Sequence, residues 1–240
     1  MTAAAVLRLD PDLGSRIPRE KRAAAIRACR AEVLELTEGK WEAELAGFDR
    51  SGFGLLVLSG VLCRRVVHSE CHGAELVGPG DLLRPWDHLA EWSSIPVDAD
   101  WEVIQPASLA VLDGAFTCRA APYPQVATEL VRRALVRSRY LAILVAIIGR
   151  RRIETRLTML FWHLADRFGQ MNGEWVDIPV PLTHSTLAEL VAARRPSVTT
   201  ALSALHEQGI LLRGGNGWRL RGTVPPELLA VSGEVAVSER

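Results

Sequence analysis

The chain has 240 residues, 48% of them hydrophobic, enough to bury ample core, and its length suggests one or two domains. Its 28 basic residues balance 28 acidic ones, so overall charge neither demands nor excludes a polyanionic partner, and local patches carry that question. The longest strongly apolar run, Leu141 to Ile148, is eight residues and too short to span a bilayer, and the cysteines at 29, 63, 71 and 118 show no C-x-x-C spacing and follow no secretory signal, so a reducing cytoplasm is the expected compartment.

The first predicted element is a helix that runs from about Ile17 to Glu32, with a basic face of Arg19, Lys21, Arg22, Arg27 and Arg30 that reads as solvated. From Val33 to Leu112 short apolar runs alternate with Gly, Pro and Asp: 33–36, 53–58, 61–67, 74–77, 101–105 and 108–112. Strands at this spacing predict a small antiparallel barrel or jelly roll. Cys63, His68, Cys71 and His72 fall on one predicted hairpin. His and Cys three apart suit zinc or a haem iron, polar residues at a hairpin tip explain the same string, and a redox-sensitive Cys71 is a further reading.

Residues 123–149 change character. Positions 127, 131, 134, 138, 141, 145 and 148 carry Ala, Val, Ala, Ser, Leu, Val and Ile in alternating steps of four and three, a coiled-coil seam that predicts self-association through Val131, Ala134, Leu141, Val145 and Ile148. One long helix packed on its own barrel is the alternative. Gly149–Arg152 reads as a hinge, Ile153–Phe168 as a helix with Leu157, Leu160, Phe161 and Leu164 inward, 170–174 as a loop and Trp175–Val180 as a strand.

Leu182 to Gly209 then reads as two short helices with a tight joint. Thr183 is an N-cap, Leu187, Leu190 and Val191 form one buried stripe, and Ala192 and Ala193 make the turn. Pro196 suits a first helical turn, Val198, Ala201, Leu202 and Leu205 repeat the stripe, and Gly209 stops it. Outward on the second helix stand Arg194, Arg195, Ser197, Thr199, Thr200 and Ser203, with no acidic side chain until Glu207, a face that can enter a major groove without electrostatic penalty. Strand 210–213, the glycine-rich 214–217 and strand 218–221 follow as a hairpin. Within 183–223 five arginines face two glutamates. The tail after Gly222 reads as a loosely attached helix or as disordered.

Residues 176–221 resemble the winged helix-turn-helix of the Crp/Fnr superfamily of bacterial transcription regulators. The superfamily's short strand, Thr or Ser N-cap, two-residue turn and Arg-x-Thr/Ser-Val-x-x-x-Leu recognition helix correspond to Val176–Val180, Thr183, Ala192–Ala193, and Arg195, Pro196, Ser197, Val198 and Leu202. Gly54–Cys63 followed by Glu75–Leu83, with the turn Val77–Asp81, resembles the cyclic-nucleotide-binding fold. The resemblance implies an α+β chain in three parts: a cyclic-nucleotide-binding-like antiparallel β-barrel or jelly roll with an N-terminal helix (1–122), a long dimerisation helix (123–149) and a winged helix-turn-helix DNA-binding domain (150–240). It further implies a homodimer on palindromic double-stranded DNA, with RNA polymerase as a partner. Arg195 would read a guanine edge, and Pro196, Ser197, Thr199 and Thr200 would lie against bases or nearby phosphates. Thr183, His184, Ser185, Arg194 and Arg213 would fix register on the backbone.

The ligand region departs from the pattern. The Gly-Glu and Arg-Ser/Thr pairs that hold a cyclic nucleotide are missing, and Asp98 and Asp100 stand where the phosphate's arginine belongs, which disfavours cyclic AMP. Arg84 is a candidate anion contact or a surface ion-pair partner. Trp86, Trp92 and Trp101 are candidates to line a pocket for an apolar or aromatic effector or to fill the core. With only Cys29 near the N-terminus, an iron–sulfur cluster is disfavoured too, and the effector is left unknown. No nucleophile motif or metal triad points to an enzyme. A sensor of small molecules or redox state whose winged helix contacts protein is the remaining alternative.

Overall fold

The computed structural model describes residues 2–42, 49, 51–68, 71–86 and 98–225. In chain order the elements are β1 (Thr2–Ala5), α1 (Val6–Leu9), a 3-10 turn (Pro11–Gly14), α2 (Arg19–Ala28), β2 (Arg30–Leu36), β3 (Gly39–Lys40), β4 (Gly54–His68), β5 (Cys71–Val77), β6 (Leu82–Leu83), β7 (Asp98–Leu112) and α3 (Gly114–Ala120). There follow α4 (Pro124–Ile148), α5 (Ile153–Phe168), β8 (Gln170–Asn172), β9 (Trp175–Ile178), α6 (His184–Leu190), α7 (Arg195–Glu207), β10 (Leu211–Gly214) and β11 (Gly217–Arg221).

The first seven strands form one antiparallel sheet in the order β1-β2-β7-β4-β5, with β3 added to β7 and β6 to β4. It rolls without closing: among the described residues β1 and β5 remain its two ends, so the barrel expected from strand spacing is an open roll. The runs read as separate strands at 53–58 and 61–67, and at 101–105 and 108–112, are continuous 15-residue strands, β4 and β7. They look interrupted because they bend. The register slips between Val57 and Leu62, and Gly60 turns at φ +84, where a Cβ would lie 2.3 Å from the Pro106 carbonyl of β7. Alternation then sorts β4 and β7 onto two cores: Leu55, Val57, Leu109 and Val111 face the inside of the roll with Trp86 and Trp101. Leu56, Ala110 and Leu112 face a layer of α1, α2, α3 and the start of α4.

Three boundaries move. The helix expected from Ile17 to Glu32 is α2, which stops at Ala28, because residues 30–33 open β2 and pair with β1, which the sequence did not reveal. The loop expected at 170–174 holds β8, paired with β9 across Gly173 at φ +64. The strand from Trp175 ends at Ile178, before Pro179.

The long helix α4 buries Val126, Glu129, Leu130, Leu144 and Ile147 and shows its other side to solvent. On that side Val131 is 58% and Val145 71% exposed, with Leu141, Ile148, Ala134 and Ser138 exposed alongside and Leu135 and Ile143 flanking them. The winged unit does not hang from a tether. Val61, Cys63 and Leu76 of the sheet share one core with Leu144 and Ile147 of α4 and with the apolar stripes of α5, α6 and α7. Polar ties cross the same boundary. Arg65 on β4 reaches Glu189 on α6 at 2.6 Å and Glu102 on β7 at 2.7 Å, and Gln105 donates to the Pro179 carbonyl at 2.6 Å. Burial disfavours the Arg65 cation, but its hydrogen bonds to Glu189 and then Glu102 prevail and raise its pKa.

Candidate nucleic-acid interface

The helix-turn-helix forms where local chemistry dictates. Thr183 caps α6 by accepting the Thr186 N–H at 3.1 Å, and Leu187, Leu190 and Val191 are buried. The turn relies on Ala192 at φ +48, the only described residue other than glycine in the left-handed region, which lets α7 start within a few residues. Pro196 sits in the first turn of α7, where its missing N–H costs nothing, and Val198, Ala201, Leu202 and Leu205 bury one face.

That burial turns the opposite face outward. Arg194, Arg195, Pro196, Ser197, Thr199 and Thr200 are all exposed. The Thr199 and Thr200 hydroxyls donate to the Arg195 and Pro196 carbonyls at 3.1 and 3.2 Å, and Ser203 donates to Thr199, which leaves their outer lone pairs as acceptors. His184 Nδ1 lies 3.0 Å from Thr199 Oγ1 and ties the first helix to the second. Burial, followed by the Arg213 and Arg195 cations, lowers the His184 pKa. Ser185 is exposed beside it. The wing strands β10 and β11 place Arg213 over the Trp218 ring, its guanidinium carbon 5.4 Å from the centroid. Trp218 packs on Phe161, donates to the Leu182 carbonyl at 3.2 Å and lies 6.2 Å from the His184 ring. The fold thus gathers His184, Arg195, Thr199 and Arg213 around one corner, while Thr183 is occupied as a cap.

Sequence reading missed Arg156. From α5 its Nε donates to the Arg150 carbonyl at 2.6 Å, and its Nη1 donates to the Val191 and Ala192 carbonyls at 3.0 and 3.1 Å. The Val191 and Ala192 carbonyls are left over at the end of α6, and one cation satisfies them and fixes the turn that aims α7. An arginine in the second turn of a helix carries no local sign of such a role.

The expected effector residues separate. A cleft of about 470 Å³ lies between the N-terminal segment, the Pro79–Asp81 turn, α4 and the end of α5. A second, of about 380 Å³, lies between the sheet and α4, and its charged wall is Arg64, Arg84 and Arg137 beside Trp101, Ser138 and Leu141. Arg84 stands on that wall and donates to the Gly52 carbonyl at 2.6 Å, whereas Trp86 is buried in the sheet core and Trp92 lies outside the described residues. Asp98 and Asp100, expected to repel a phosphate, are exposed on β7, and Ala99 between them lines the cleft. Glu75 is shared by Arg137 at 2.5 Å and Arg64 at 3.2 Å. Cys63 faces the shared core, and burial pushes its thiol up to about 12, a poor setting for a metal-bound thiolate. The backbone pairs His68 with Cys71, but the side chains of His68, Cys71 and His72 lie outside the described residues. Among the described residues no helix is long and apolar enough to cross a membrane.

Comparison with known proteins agrees with this geometry. Residues 155–223 match the family described as the Crp-like helix-turn-helix domain. No curated protein matches the chain. Among solved structures, a cyclic nucleotide-binding domain containing protein from Listeria monocytogenes is similar at 17% identity and a TM-score of 0.65, over 89% of this chain and 97% of that one. FixK2 from Bradyrhizobium japonicum is similar at 17% identity and 0.57, over 80% and 93%. A CRP-family transcriptional regulator from Thermus thermophilus is similar at 15% and 0.55, over 80% and 92%. The chain therefore carries a Crp-like helix-turn-helix domain within a Crp/Fnr-type fold.

Proposed function

We propose that the chain is a sequence-specific DNA-binding transcription regulator that acts as a homodimer. The observation that carries this reading is the outer face of α7. It is exposed, free of acid until Glu207, begins with Arg194 and Arg195, and is flanked by a wing that presents Arg213. Arg195 reads a guanine edge, Ser197, Thr199 and Thr200 face bases, and His184, Ser185, Arg194 and Arg213 rest against phosphates. Residues 1–122 sense, 123–149 pair two protomers through the exposed Val131, Ala134, Leu141, Val145 and Ile148, and 150–240 bind DNA. The arginine-lined cleft beside α4 suits a small anionic effector, and without the Gly-Glu and Arg-Ser/Thr pairs it would not hold cyclic AMP in the usual manner.

The test is equilibrium binding of the full chain to mixed-sequence duplex DNA as salt is varied. A regulator of this kind loses affinity linearly in log–log form, by about 0.9 per neutralised phosphate. Absence of duplex binding, or binding indifferent to salt, would refute the reading and favour a winged helix that contacts protein.

A further inference from the structure

We infer that Arg150 and Arg151, at the joint between α4 and α5, form a second phosphate-gripping element that continues the DNA surface beyond the helix-turn-helix. The inference rests on the reading of α7 as the DNA-facing helix and adds a contact which that reading does not contain.

The placement comes from Arg156. Because one guanidinium holds the Arg150 carbonyl together with the carbonyls of Val191 and Ala192, the α4–α5 joint is stitched to the turn that launches α7. Arg194 and Arg195 follow that turn directly. Arg150, Arg151, Arg194 and Arg195 are all exposed, and among the described residues none of their side chains forms a hydrogen bond or an ion pair. Elsewhere Arg64, Arg65, Arg132, Arg133, Arg137, Arg167, Arg219 and Arg221 each meet a carboxylate. Four exposed cations without counter-ions, two at the α4–α5 joint and two at the start of α7, with a fifth arginine tying the joint to the turn before α7, make a ridge whose fitting ligand is a run of phosphodiester anions.

Two neighbours limit the ridge. Arg152 turns away and lines a groove with Ala204 and Gln208, at the far end of α7. Glu154, the one carboxylate between residues 149 and 156, lies in the first turn of α5, where the helix dipole favours it. A phosphate grip at the joint has a mechanical consequence: DNA would fix the angle between α4 and the reading unit as well as the unit itself.

The test compares the full-length protein with R150Q/R151Q and with R19Q/R27Q, which removes two exposed arginines from α2. Affinity for a fixed duplex is followed by fluorescence anisotropy between roughly 50 and 200 mM salt. R150Q/R151Q should flatten the log–log slope by about 2 units, weaken every duplex to the same degree and leave base preference unchanged. R19Q/R27Q should keep the wild-type slope. If the wild type binds with a salt-dependent slope that R150Q/R151Q shares, or if R19Q/R27Q flattens it equally, the inference is overturned and the assignment of α7 stands. A wild type with no salt-dependent duplex binding overturns both. Because neither glutamine pair replaces bonded side chains, unchanged far-UV dichroism is expected of both variants.

Discussion

The contact between Arg167 and Asp81 makes the sharpest stability prediction, since it joins α5 of the winged unit to the Gly78–Asp81 turn of the sheet. The two side chains are 9% and 8% exposed and 2.6 Å apart. Arg167 also donates to the Leu76 carbonyl at 2.8 Å and lies over the rings of Tyr140 and Phe168 at 4.6 and 4.8 Å, while Asp81 accepts the Gly78 N–H at 2.9 Å. Asp81→Asn keeps an acceptor for Gly78 and removes only the charge, which strands the cation. Arg167→Met keeps the stem and strands the carboxylate. Each change should cost about 3 kcal/mol, the lower end of the range for breaking a buried pair. The double variant leaves no unpaired charge and should fall short of the sum by about 1–3 kcal/mol. Urea unfolding followed by tryptophan fluorescence, at one protomer concentration, measures all four corners of the cycle. Single variants within about 0.5 kcal/mol of wild type, adding without coupling, would refute the claim that this pair fastens the two units.

Burial, followed by the Arg167 cation, lowers the His163 pKa to about 4, and among the described residues its buried Nε2 has no hydrogen-bond partner. The folded ring therefore resists protonation that the unfolded chain accepts near 6.5. Its contribution is complete above that pH and is lost as pH falls toward 4, up to about 3 kcal/mol. His163→Phe should flatten the stability-against-pH curve in that window, and an unchanged curve would contradict the assignment. Val145→Glu places a charge at the most exposed apolar position of the proposed seam and should shift sedimentation from dimer to monomer while leaving protomer stability within about 0.5 kcal/mol. Thr183→Ala orphans the Thr186 N–H and should lower stability by about 1 kcal/mol in the same urea assay.

What was legible in the sequence was what is local. The Thr183 cap, the stripes through Leu187 and Val198, Pro196 and Gly209 each act over a few residues, and α6, α7 and the wing appear where they place them. The 4-3 spacing of residues 131–148 likewise marks a face that α4 leaves exposed. Less visible was β2. Its alternation, with Ala31 and Val33 buried and Arg30, Glu32 and Glu35 exposed, was present but masked by alanines and arginines that read equally well as helix. β1 offered even less, because three consecutive alanines carry no period. The bend shared by Gly60 and Pro106 made two long strands resemble four short ones. Nothing in the sequence could show Arg156 under the turn, or Arg65 meeting Glu189 across 124 positions, because such pairs are chosen by the packing of the two units. The same holds for the arginine cleft, whose members lie at 64, 84 and 137 and meet only after the sheet rolls against α4.

The most direct test of the central claim is selection of bound sequences from a random duplex library by the purified wild type and by Arg195→Ala. The account predicts that the wild type enriches an inverted repeat with half-sites about one helical turn apart. Arg195→Ala should lose preference at one guanine position per half-site, at a cost of about 1–3 kcal/mol. Recovery of no common sequence by the wild type, or of an identical preference by both proteins, would contradict the role given to α7.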